Sequence, residues 1–231
     1  MANTIQFGIL LPIPFMHPPL PSSVLPHLNG ELQSLDIITN PTLHVAEMLF
    51  GGFSVTMHTQ PGRIDLTAFQ ANEPSALTNL DLDFEHSVAA LRDAVVKIAL
   101  GAGATRLAII TTIAHISDTA AEATAHISKH VTGLQAPATA TDLDLRINVK
   151  LPQSADAVPI NRILRWQGLT QSVLTVHADG GATTAFKYGA FCQIDVNTAP
   201  EFALTPDRLE PTYDLLVATA RPLLTGSWSA L

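Results

Sequence analysis

The stretch 142–197 restricts what this chain can fold into more than any other, because it alternates apolar and polar side chains over successive runs. In the first run Leu143, Leu145, Ile147 and Val149 interleave with Asp144, Arg146, Asn148 and Lys150. A repeat of two residues suits a strand with one buried and one polar face; a helix of period 3.6 would scatter the same residues around its surface. The last run repeats the pattern, with Phe186, Tyr188, Ala190, Cys192, Ile194 and Val196 on one side and Lys187, Gln193 and Asp195 on the other. Ala178-Asp179-Gly180-Gly181-Ala182 supplies a turn able to take positive φ angles. Pro152 and Pro159 bracket the preceding loop, where a missing N–H does little harm. The pattern predicts an antiparallel meander of Asp142–Leu151, Arg162–His177 and Thr184–Asn197.

Other segments supply the rest of a fold. Thr4–Leu11 is apolar enough for a strand inside a sheet, and Phe53–Thr59 with Arg63–Gln70 forms a second hairpin about Gln60-Pro61-Gly62. In Asp83–Leu100 the residues Phe84, Val88, Leu91, Val95 and Ile98 recur at helical spacing, with Gly101 suited to the C′ position. Ala104–Ser117 is apolar on both faces and fits a central strand. Asp118 or Thr119 caps an alanine-rich helix to about Val131. A last helix has Pro211 near its start, Tyr213, Leu216, Val217 and Ala220 facing inward, and Pro222 as its end. A short helix is placed within Pro41–Leu49. Together these predict one α+β domain over residues 1–231, with a mixed, mainly antiparallel sheet of about six strands against about three helices.

Pro12, Pro14, Pro18, Pro19, Pro21 and Pro26 make residues 12–27 an extended N-terminal arm that excludes helix. The arm lies over the body or docks on another subunit. A charged fraction of only 14% beside 47% hydrophobic residues excludes disorder and suggests surface covered by a protein partner or by self-association. The net charge is −8 and no Lys or Arg precedes Arg63, so no basic stripe is present for nucleic acid or for an anionic membrane. Cys192, the sole cysteine, reads as a buried thiol on the apolar face of its strand. The opening residues, Met1 to Met16, lack a basic n-region and are broken by prolines, so neither a signal peptide nor a spanning helix is expected, and a cytoplasmic location follows.

Motifs that carry chemistry are few. His126 and His130 stand four apart on the alanine-rich helix and would carry any metal, with His115 or Glu122 as a further ligand. The helix lacks the Glu that follows the first His in zinc hydrolases, so no metal and no other cofactor is expected. Asp81, Asp83 and Glu85 resemble the start of a calcium loop but lack its Gly and terminal Glu, and helix-dipole complementation explains them. Gly101-Ala102-Gly103 follows a helix instead of opening one, the reverse of a phosphate cradle.

What remains is the polar side of the meander. Asp144, Arg146, Lys150, Lys187 and Asp195 are the candidate ligand-binding residues, with Asn148 and Gln193 beside them. Only one of Arg162 and Arg165 can join them, since the two face opposite ways. With no catalytic motif, the expectation is a non-catalytic binding or assembly protein of a bacterial or phage-type system, acting through protein surfaces. The alternative is an enzyme or binder that holds a small anionic molecule in a cleft beside this face.

Overall fold

A computed structural model describes residues 4–11, 26, 38–39, 44–50, 53–70, 82–131, 140, 143–151, 158–176 and 181–224. The fold is α+β. Its strands are β1 (Thr4–Leu10), β2 (Ile38–Thr39), β3 (His44–Phe50), β4 (Phe53–Gln60), β5 (Arg63–Gln70), β6 (Arg106–Ser117), β7 (Asp144–Lys150), β8 (Ile160–Val176) and β9 (Ala182–Thr198). They form one sheet in the order β2-β3-β4-β5-β1-β6-β9-β8-β7. Among the described residues every pairing is antiparallel, in place of the expected mixed character, and the strands number nine against about six. The α-helices among the described residues are α1 (Phe84–Gly101), α2 (Ala120–His130) and α3 (Leu209–Leu224), against about three expected.

Alternation decides the layers. Met48, Val55, Ala68, Ile5, Thr111, Ile194, Leu164 and Ile147 sit opposite one another across eight strands, and the helices pack on this face. β1 is the inner strand, flanked by β5 and β6, and α1 links those two strands as in a split βαβ unit. Its Ile5, Phe7 and Ile9 are buried against the helices, and the Phe7 ring stacks on Tyr213 of α3 with centroids 5.4 Å apart. The Tyr213 hydroxyl donates to the Val88 carbonyl of α1 at 2.6 Å, so one side chain ties strand and both helices together.

The helix ends obey local chemistry. The Asp83 carboxylate caps α1 by accepting from the His86 N–H at 3.1 Å. At the other end the Ala104 N–H donates to the Ala99 carbonyl (2.8 Å) and the Gly103 N–H to that of Leu100 (3.2 Å), a Schellman motif. Gly103, at φ +63°, fills the C′ position assigned above to Gly101, which is the last helical residue.

Two further expectations are corrected. The segment read as a short helix is strand β3: Ala46 and Met48 are buried, Glu47 is exposed, and β4 completes the ladder. Pro222 lies inside α3 instead of ending it. A proline so near the end removes one backbone bond, and buried Leu223 keeps the last turn packed. The proline-rich arm (apart from Pro26) and the Ala178–Gly180 part of the predicted turn lie outside the described residues. Among the described residues no helix is long and apolar enough to cross a membrane.

Candidate functional site

The helix-free face of the sheet carries the polar residues in transverse rows. One row runs His58, Asp65, Gly8, Ala108, Asn197, Asn161, Lys150; the next runs Thr56, Thr67, Gln6, Ile110, Asp195, Ile163, Asn148; the third holds Gln193, Arg165 and Arg146. Adjacent strands lie about 4.8 Å apart, so these side chains reach one another although far apart in sequence. A hollow of about 590 Å³ opens over the second and third rows, lined by Asp144, Arg146, Ile163, Arg165, Gln193 and Asp195.

Register explains its charges. Arg146 and Arg165 stand directly opposite each other, a repulsive pairing. Arg165 turns to the Asp144 carboxylate, with Nε to Oδ1 at 2.9 Å and Nη2 on the second oxygen. That charged hydrogen bond holds Asp144 below the usual carboxylate range and Arg165 above its ordinary value. Arg146 has no hydrogen bond or ion pair among the described residues; its charge acts on Asp195 and Asp144 from a distance.

Beside the hollow, in the first row, lies a buried chain of polar groups. The Asn197 amide donates to Asp195 Oδ1 at 2.8 Å, and its oxygen accepts from Asn161 (3.3 Å) and Arg106 (3.4 Å). Asn161 and Asn197 are only 6% and 7% exposed, so these bonds replace water. Burial pushes the Asp195 carboxyl up, against the pull of Asn197 and of the guanidinium groups of Arg63, Arg146 and Arg106. At the sheet centre Gly8 leaves room for Arg63, which binds Asp65 at 2.7 Å; a Cβ at Gly8 would lie 3.4 Å from both partners.

Of the five predicted residues, Asp144, Arg146 and Asp195 come together in the hollow. Lys150 lies at the outer strand and pairs with exposed Glu201 at 3.3 Å. Lys187 is exposed eight residues along β9 from Asp195, about 26 Å away at strand spacing, and does not line the hollow. Arg165, not Arg162, is the arginine that joins. Asn161, Asn197 and Arg106 were not singled out above, and no local pattern marks them.

A second polar cluster lies on the helix side. α2 begins with a reciprocal capping box: the Thr119 hydroxyl accepts from the Glu122 N–H and the Glu122 carboxylate from the Thr119 N–H, both at 3.2 Å. This sets the helix so that His126 and His130 meet His115 of β6 and Trp166 of β8. A pocket of about 330 Å³ adjoins them, closed by Ile113, Ala190 and Leu224. His115 and His126 each stand second in the two copies of Ala-His-Ile-Ser, at 114–117 and 125–128. Among the described residues no group of three or more His, Cys, Asp or Glu is arranged to hold a metal ion.

A third feature is a projecting ribbon. β6 stops at Ser117 opposite Tyr188, and β7 starts at Asp144 opposite Gln167. Past the end of β7, Leu169–Val176 ladder only with β9, and past the end of β6, Ala182–Lys187 ladder only with β8, among the described residues. The ribbon extends about 26 Å past β7 on its β8 edge and about 20 Å past β6 on its β9 edge, and Lys187 is its one charged residue among those paired positions. Leu169 is 38% and Phe186 59% exposed.

No protein-family model matches the chain, and no curated protein matches it. Among solved structures, the Mycobacterium tuberculosis type VII secretion system chaperone EspG5, in complex with a PE25–PPE41 dimer, aligns at 10% identity over 94% of this chain and 73% of that one. The TM-score of 0.18 is too low to establish a shared fold.

Proposed function

We propose that the protein is a non-catalytic binding or assembly component that joins protein chains along the β8–β9 ribbon, a second copy of itself foremost. The observation that supports this is that β8 and β9 run on together past the ends of β7 and β6, with no further strand laddered to them among the described residues. Two strands alone are marginally stable in water, and their outer N–H and C=O groups are templates for another strand. A nearly uncharged ribbon also lets two chains of net charge −8 approach without local repulsion.

Sedimentation equilibrium over a concentration series tests it. The wild-type mass is expected to rise toward that of a dimer. A Leu169→Lys/Phe186→Lys variant should remain monomeric with its denaturation midpoint unchanged, because both side chains are exposed. A wild-type chain that is monomeric throughout, or a variant that associates equally well, overturns the proposal.

A second reading, a binder of a small anionic molecule, is favoured by Arg146, whose guanidinium faces the hollow without an ion-pair partner among the described residues. Calorimetric titration with a short dicarboxylate should then show binding that Arg146→Met weakens at least about tenfold, as loss of a charged hydrogen bond does. Binding that survives the substitution would place the ligand elsewhere.

A further inference from the structure

Three imidazoles and an indole form a continuous column where α2 crosses the end of β6. His115 and His126 stack with centroids 3.8 Å apart and rings within 9° of parallel. His126 and His130, one helical turn apart, stand 4.8 Å from each other at 53°, and His130 stacks on Trp166 at 5.2 Å and 12°. Near-parallel rings carry their nitrogen lone pairs side by side instead of toward one point, which suits uncharged stacking and not a shared cation.

The column stands at the root of the ribbon. His115 lies opposite Ala190, which pairs with Gly168, and Trp166 lies opposite Cys192. Leu169, next to Gly168, is the first ribbon residue. The joint is thus made of β6, α2 and the last fully flanked residues of β8 and β9.

Asp118 and Glu122 line a pocket with His115 and His126, yet the charges that act on the His126 ring are all positive. On α2, Lys129 adds a further cation, and Glu122 is engaged by the Asp118 and Thr119 N–H groups at 3.0 and 3.2 Å. Asp118, in the turn before α2, is exposed. β8 presents Trp166 and, farther along the same face, Arg162; β9 presents Ala190 and Cys192, whose thiol burial keeps protonated. α3 presents Leu224, and its Arg221 is bound to Glu85 at 2.6 Å. Burial first, then the charges of His115, His130 and Lys129, bring His126 down to about 4.

The geometry points to an acid-sensitive latch: the column holds α2 on the root of the ribbon while the half-buried His126 ring at its middle is neutral and releases it when that ring becomes charged. A histidine freed from the column titrates at about 6.5, so the detached state takes up the proton first. The latch is complete above that value and is lost as pH falls from there toward the folded value of about 4. This holds whether or not the ribbon pairs with a second chain.

Amide hydrogen exchange on the full chain, corrected for intrinsic rates, tests it. Between neutral pH and pH about 4.5, protection within Ala120–His130 should fall at least about tenfold while α1 stays protected. Trp166 lies against His130, so its fluorescence should follow the same midpoint. His126→Phe, which keeps a ring but cannot charge, should abolish the loss. Protection that is constant across the range, or an unchanged acid loss in His126→Phe, would each overturn the latch. None of these readouts depends on association, so the ribbon proposal stands or falls separately.

Discussion

Phe7→Ala is expected to lower the unfolding free energy by about 3–5 kcal/mol, the usual cost of removing a buried aromatic ring. Phe7 is 2% exposed on the inner strand, opposite Leu66 and Ile109, and it stacks on Tyr213. The substitution removes the ring's transfer energy and leaves a cavity between β1 and α3 that neither can close without giving up its own contacts. For a chain of this length that is a fall in Tm on the order of 10 °C. Urea titration should show a lower midpoint at an unchanged m-value. Gln6→Ala, one residue away on the opposite face, should stay within about 0.5 kcal/mol of wild type. Equal costs at the two positions would mean that the assigned faces are wrong.

Asn197→Leu is expected to cost about 2–4 kcal/mol, because one side chain satisfies several buried groups at once. Leucine matches its size but can neither donate to Asp195 nor accept from Asn161 and Arg106. The effect has a pH signature. Asp195 already sits above the usual carboxylate range through burial, and losing the Asn197 donor raises it further. A folded value above the unfolded one means that the folded state holds more protons between the two. Stability therefore rises as pH falls through the folded value and levels off below the unfolded value of about 3.9. Asn197→Leu should consequently recover part of its loss toward pH about 4, whereas Asp195→Asn should flatten the dependence. Combining the two should cost less than the sum of the single changes, since the amide no longer leaves a buried carboxylate without a donor. Strict additivity in denaturant titrations would show that Asp195 and Asn197 do not act as a unit.

Much of the fold was legible before any coordinates. The alternation of 143–150 and 186–196, the stripe Phe84–Ile98 and the Pro61-Gly62 turn are local, and each reports a backbone period directly. The misreadings share a cause. β3 is short and has no strong propensity, so pairing with β4 decided its state. Pro222 was overruled because Leu223 gains more from packing than the helix loses in one bond. The strand count ran low because β3 was taken for a helix and the two-residue β2 has no pattern of its own.

The candidate sites were legible in kind but not in membership. Alternation marks Asp144, Arg146 and Asp195 as sharing a polar face, and helical spacing pairs His126 with His130. It cannot say that Lys187 lies on a ribbon away from Asp195, that Arg165 is held by Asp144, or that Asn161 and Asn197 are buried beside the hollow. Nor does a four-residue repeat show that His115 stacks on His126.

By itself, the sequence determined the strands and helices other than β2 and β3 and which face of each is apolar, since both follow from dihedral periods within a few residues. Only the tertiary structure decided strand order, register and the ribbon's length. Those depend on which distant strands bury one another's apolar faces, and a shift of a single residue would turn Arg146, Asp195 and Asn197 to the other side of the sheet.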